Sequence, residues 1–225
     1  WGAKVSGDGL TEGVRVGGST YYHGLKAGRV IKDADGNVLG SDDPVNNHVW
    51  RVRKDWENGD LTVDAANYYG YTSAGDVSAE QIAAVKGQYE YDWMYWPAAW
   101  GAPYTDVNND GSYDPAVDIP GYPGADQTMW TIANDVPKIV SDGTDGNTLG
   151  DSLGYSSTAP NLYGADPIGI ELQITIWGYA FGAGDPLGNM IFKKATMKYT
   201  GLPGAPAGAR MDSLYFTQWS DPDLG

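Results

Sequence analysis

Apolar residues along this chain recur at two periods, and the switches between them mark its parts. From Trp1 to Trp56 they come in short runs split by Gly, Asp and Asn, the pattern of small hairpins. Val14 and Val16 alternate with Arg15. Val30-Ile31 and Val38-Leu39 flank Asp33-Ala34-Asp35-Gly36-Asn37, whose Asp-Gly step predicts a hairpin turn in preference to a second weak cation loop. Val49 to Arg53 alternates with Arg51 and Arg53 on one side, and those arginines are expected to pair with carboxylates.

The period then lengthens. Ser78 with Gln81 makes a capping box, and Ile82, Val85, Tyr89, Trp93 and Trp96 share one face at helical spacing. A helix over 78–96 follows, ending before Pro97, with its aromatic stripe packed on a sheet. Leu61 to Val77, just before it, reads as a polar, Tyr-rich connection. Period two returns later. Met129 to Ala133 predicts a short strand, and Ile168, Ile170, Leu172, Ile174 and Ile176 alternate with Glu171, Gln173 and Thr175, one buried face against one wetter face. Asn189 to Tyr199 and Ser213 to Trp219 continue that pattern, so three long antiparallel strands are expected.

These elements predict a mostly β fold: an antiparallel, β-sandwich-like sheet with one amphipathic helix and long Gly/Asp/Pro-rich loops. The chain reads as one module over 1–225, with hairpins in 1–76, the helix in 78–96, a loop region in 100–130 and antiparallel strands in 165–220.

The loop region carries the chemistry. Asp106, Asn108 and Asp110 place oxygen-bearing side chains at every second position, Gly111 supplies the sharp turn, and Ser112 offers its backbone carbonyl. Asp114 and Asp118 add carboxylates, so the predicted Ca2+ ligands are Asp106, Asn108, Asp110, Ser112, Asp114 and Asp118. The pattern matches the first half of an EF-hand loop, but Val117 stands at the twelfth position, where a bidentate Glu belongs. Pro115, Pro120 and Pro123 also speak against an exiting helix. A run of Asx-turns is the other reading of the same residues. Mutual repulsion among closely spaced acceptors favours the cation.

Charge narrows the partners. A net charge of -15 argues against nucleic acid and against an anionic membrane surface, both of which need Lys and Arg. Of 29 acidic residues only five are Glu, which points to turns and ligand loops over solvated helix faces. There is no Cys, so no disulfide or thiolate metal site exists, and no apolar run is long enough for a membrane-spanning helix. Calcium sites of modest affinity fill outside cells, so a secreted or outer-surface location is expected. The chain begins at Trp1 and stops at Gly225 just after a strand-like run, which reads as a segment of a longer polypeptide.

Catalytic signals are weak. Gly150-Asp151-Ser152-Leu153-Gly154 fits G-x-S-x-G, but Asp-Gly-Asn-Thr precedes it where a nucleophile elbow needs a hydrophobic strand, and His23 and His48 lie far upstream. Ser152 is therefore expected to lie in a surface loop spanning Ser141 to Pro160, and no catalytic residue is assigned. Gly182 to Pro186 makes a poor phosphate loop because Pro186 lacks a backbone donor.

Several blocks bear a family likeness. Tyr89-Glu90-Tyr91-Asp92-Trp93 with Trp96-Pro97, Gly101-Ala102-Pro103-Tyr104, Pro123 to Trp130, and Asp212 to Phe216 with Gln218 to Asp223 resemble large secreted proteins of bacteria with a type IX secretion system, many ending in a C-terminal sorting domain. The resemblance implies export and a longer parent chain, and it brings no activity with it. The expected role is a calcium-stabilised structural or adhesive module whose partners are other domains of the parent chain or other copies of itself. The alternative is a polysaccharide-binding module or glycoside-active enzyme with Trp/Tyr platforms and an acid pair drawn from Glu90, Asp92 and Glu171.

Overall fold

The computed structural model describes residues 2–6, 14–16, 26–32, 38–39, 47–134, 169–182, 184–201 and 208–216. The turn at 33–37, His23, the loop 141–160 with Ser152, and residues 217–219 lie outside them. Twelve strands and two α-helices are present among the described residues, a mostly β fold. In chain order the strands are β1 (Gly2–Ser6), β2 (Val14–Val16), β3 (Lys26–Ala27), β4 (Ile31–Lys32), β5 (Val38–Leu39), β6 (Trp50–Arg53), β7 (Tyr104–Thr105), β8 (Ile119–Pro120), β9 (Gln127–Asn134), β10 (Ile170–Gly178), β11 (Ile191–Tyr199) and β12 (Arg210–Tyr215). The helices are α1 (Thr62–Tyr69) and α2 (Ala79–Met94). The largest sheet runs β11-β10-β9-β3, with β6 also paired to β9.

The chain divides into two compact units, one formed by Trp1–His48, Ile132–Leu172 and Met197–Gly225, the other by Val49–Thr131 and Gln173–Thr196. In the first, β4 and β5 pair antiparallel with Ile31 opposite Leu39, as the flanks of the Asp-Gly turn predict. Ile132, Ile170 and Leu172 are buried there, and the Asn134 side-chain amide donates to the Gly28 carbonyl at 2.8 Å.

The second unit is built around α2. Its capping box is complete: Ser78 Oγ accepts the Gln81 amide and Gln81 Oε1 accepts the Ser78 amide. Val85 and Tyr89 join Leu61 and Ala65 in a core, with Ile82, Val77 and Trp56 packed against it. The predicted stripe therefore does face inward. Beside it, Trp50, Val52 and Trp130 are buried where β6 meets β9 in antiparallel register, Trp50 opposite Trp130. Asp92, on α2, is wholly buried and accepts the Arg51 amide of β6 at 2.8 Å. Arg53 pairs with Asp55 and Asp64 as expected, whereas the Arg51 guanidinium lies over the Tyr68 ring at 5.1 Å.

Three expectations are corrected. The supposed connection before α2 contains a second helix, α1, whose Ala65 and Ala66 are buried. Asp60 accepts the Thr62 amide at its start, and Gly70 closes it at φ 74 in the left-handed region. Small alanines at the buried positions leave a faint hydrophobic signature, so propensity and capping decide what periodicity does not. β10 departs from one buried and one wetter face: Glu171 and Thr175 are buried along with Ile170 and Leu172. The Glu171 carboxylate accepts the Val30 amide at 2.9 Å, and that bond offsets the cost of its burial. Finally, β12 does not extend the sheet of β10 and β11. It pairs antiparallel with β1, Met211 opposite Val5, in a three-stranded sheet of order β12-β1-β2.

Candidate metal centre

β7 and β8 pair antiparallel, Tyr104 opposite Pro120 and Thr105 opposite Ile119, and so bring the two ends of the 106–118 loop together. Gly121 extends the closure by donating to the Pro103 carbonyl at 2.9 Å, in a backbone conformation (φ 102) that favours glycine. The loop is held against α2 by its aromatic residues. Trp93 Nε1 donates to the Pro115 carbonyl at 3.2 Å, Tyr113 Oη donates to the Trp93 carbonyl at 2.6 Å, and Trp96 Nε1 donates to the Pro103 carbonyl at 2.8 Å. Two residues of the helical stripe thus have a second job, as anchors of this loop. The period-3.6 pattern identifies their face but not their partner.

Within the loop the oxygens converge on successive amides. Asp106 Oδ1 and Asn108 Oδ1 each lie 3.2 Å from the Asp110 amide, and Asp106 Oδ2 accepts the Gly111 amide at 2.8 Å. Asp110 accepts the Ser112 amide through Oδ1 and the Asn108 side-chain amide through Oδ2, both at 2.8 Å. Gly111 adopts φ 80, the turn conformation expected at the sixth position, and Asn109 shares the left-handed region at φ 59. Asp106, Asn108 and Asp110 are thus brought together. Ser112 follows directly on the exposed side.

Asp114 and Asp118 are placed differently. Asp114 is exposed and accepts the Ala116 amide at 2.9 Å. Asp118 is buried, 2% exposed, and its two oxygens accept the Val107 amide at 2.9 Å and the Asp114 amide at 2.8 Å. Asp118 is the hub of the loop, tying its beginning to its end. Asp126, a neighbouring carboxylate beyond β8, instead accepts the Ala180 amide at 2.8 Å.

Four Asp and no Lys or Arg lie between Tyr104 and Pro120, so the loop concentrates negative charge. Two tyrosines, Tyr104 just before the loop and Tyr113 within it, register that field. Burial pushes the Tyr113 hydroxyl up, with Asp118 and Asp114 adding to the shift. Tyr104 is also raised, by desolvation first and then by Asp106, Asp118 and Asp110. The two rings meet edge to face at 5.5 Å. Neither tyrosine is foreseen as part of the site, since nothing in sequence spacing marks a ring as the neighbour of a carboxylate.

Among the described residues, no three His, Cys, Asp or Glu stand together in a metal-holding group. Each loop carboxylate faces a backbone amide, so a hard cation would draw on the Asn108 amide oxygen and the Ser112 carbonyl as well as on carboxylates turned from those amides. Of the acid pair considered for glycoside chemistry, Asp92 and Glu171 are buried, belong to different units and each holds an amide, while Glu90 is exposed. No known family model, curated protein or solved structure matches the chain significantly.

Proposed function

We propose that this chain is a calcium-stabilised structural or adhesive module, exported to the cell surface or beyond, and that it acts by binding and not by catalysis. The observation that carries the reading is the loop itself. Asp106, Asn108 and Asp110 gather three oxygen-bearing side chains around consecutive amides in a segment without a single basic residue. Calcium entering there would replace amide contacts with the Asp106, Asn108, Asp110 and Asp114 oxygens and the Ser112 carbonyl, while buried Asp118 fixes the frame. Export by a type IX-like route is supported by the sequence resemblance, and a sandwich-like closure of the sheets belongs to the same proposal. The experiment is calorimetric titration of the purified chain with calcium, alongside amide chemical shifts. Saturable binding with shifts at Asp110, Gly111 and Ser112, lost in Asp110→Ala, is the expected result; no heat and no shifts at millimolar calcium would reduce the loop to turns.

A second reading, glycan binding, is favoured by the exposed tyrosines at the C-terminal end of α2. Tyr91 and Tyr95 are 41% and 63% exposed with ring centroids 4.8 Å apart, a surface on which sugar rings can stack. A glycan array with wild type and Tyr91→Ala/Tyr95→Ala distinguishes the two readings, because calcium binding should survive that double substitution.

A further inference from the structure

Arg51 and Arg53 project from the same face of β6, yet their charges are met differently. Arg53 is paired with Asp55 and Asp64. The Arg51 guanidinium lies over the Tyr68 ring at 5.1 Å and the Tyr89 ring at 5.9 Å, and among the described residues it makes no hydrogen bond and no ion pair. Its sheet neighbours offer none. Met129 stands opposite Arg51, and the next pair on that face is Arg53 with Gln127. Asp64, the acid beside Tyr89, is already engaged by Arg53 and by the Tyr89 hydroxyl. In a chain with 29 acids against 14 Lys and Arg, an arginine met only by aromatic rings is out of keeping with its surroundings.

The rings hold this cation ready. Attraction to an aromatic face restrains a guanidinium without using its N–H donors, which remain directed outward in the plane of the group. That fork matches a carboxylate in a bidentate pair, and its prior restraint leaves less freedom to lose on binding. Aromatic surface adjoins it: Tyr68 is 56% exposed, and Tyr69, edge to face with Tyr68 at 5.0 Å, is 40% exposed. A sugar ring that carries one carboxylate meets both features, its acid going to Arg51 and its C–H face packing on tyrosine. A run of acids fits poorly, because the net charge of -15 opposes a polyanion.

We propose that Arg51, with Tyr68 and Tyr69, binds the carboxylate of an acidic sugar residue within an otherwise neutral glycan. The proposal deepens the glycan-binding reading, on which it rests, by naming a ligand class, and it shares no residue with the calcium loop or with Tyr91 and Tyr95.

The test is calorimetric titration with glucuronosyl-xylotriose, a neutral oligosaccharide bearing one carboxylate, in chelator so that calcium plays no part. Three controls go with it: the methyl ester of the same oligosaccharide, a triglutamate peptide, and the Arg51→Gln protein, its fold checked by circular dichroism. Saturable binding of the acid, with each control at least about tenfold weaker, is the expected result. The Arg51 Nε–H signal of the wild-type protein should shift in NMR titration with the acid and not with the ester. Four outcomes overturn the proposal: no binding of the acid at millimolar concentration, undiminished binding of the ester, undiminished binding of triglutamate, or undiminished binding by Arg51→Gln. Binding that survives Arg51→Gln but is lost in Tyr91→Ala/Tyr95→Ala would overturn this site while upholding the glycan-binding reading. Should Arg51→Gln misfold, the Arg51 Nε–H signal of the wild-type protein still decides the case.

Discussion

Asp118 and Val107 stand eleven positions apart in the chain and are joined by a 2.9 Å hydrogen bond from the Val107 amide to the buried Asp118 carboxylate. The other oxygen of that carboxylate holds the Asp114 amide, so one enclosed charge closes the loop on itself. Substituting it removes the frame whether or not a metal is bound. Asp118→Ala leaves two amides without a partner, and we expect it to cost about 1–3 kcal/mol in denaturant unfolding with chelator present. If Asp118→Ala were neutral in chelator and harmful only with calcium, Asp118 would be a ligand and not a brace.

Calcium should raise the melting temperature. Extracellular sites of this kind bind at roughly 0.1–1 mM, and at about 2 mM calcium the tighter limit gives about 1.8 kcal/mol by linkage. For a chain of this size that is about 4 to 7 °C, reversed by chelator. Asp110→Ala should abolish the shift, since it removes a ligand and leaves Gly111 to make the turn. Scanning calorimetry with and without chelator checks both.

The tyrosines beside the loop carboxylates give a spectroscopic readout. Tyr104 and Tyr113 are held above the usual phenol range in part by the loop carboxylates. A cation among those carboxylates cancels their field but not the burial. Calcium should therefore lower both pKa values without restoring them to the free-tyrosine value, as followed by carbon-13 NMR of labelled tyrosine. Unmoved titrations at saturating calcium would place the ion elsewhere.

High pH should weaken the second unit through Tyr89. Burial, with Asp64 beside it, pushes its hydroxyl from 10.0 up to about 12, so the folded state holds this proton more tightly than the unfolded chain. Its contribution is complete below pH 10 and is lost as pH rises towards about 12. Across that window wild type should lose more stability than Tyr89→Phe, measured by urea unfolding at stepped pH. Parallel slopes for the two proteins would assign the alkaline loss to other groups.

Asp92 tests the joint between helix and sheet. Its carboxylate accepts the Arg51 amide of β6 and the Gln88 side chain from a position with no solvent exposure. Asp92→Ala leaves a buried amide unsatisfied and should cost about 1–3 kcal/mol. The same loss in an Asp92→Asn variant would show that both oxygens are required, since asparagine keeps one acceptor where the Arg51 amide and Gln88 need two.

Local signals were enough for the parts that local physics controls. Ser78 and Gln81 fix the start of α2 because a capping box needs only residues three apart. Gly111 fixes the turn of the 106–118 loop because only backbone freedom is at stake. The run from Met129 to Ala133 announces a short strand, and the structure lengthens it to Gln127–Asn134 with alternate residues buried. What the sequence could not decide were pairings between distant segments. Whether Ser213 and its neighbours join β11 or β1 depends on chain crossings that no local period encodes, and the structure gives them to β1. Glu171 reads as solvent-facing until the Val30 amide, 141 positions away, is brought to it. Asp118 reads only as one more loop carboxylate until the Val107 and Asp114 amides are seen to donate to its two oxygens. A carboxylate's role is set by which donors surround it in space, and only the tertiary structure brings those donors to it.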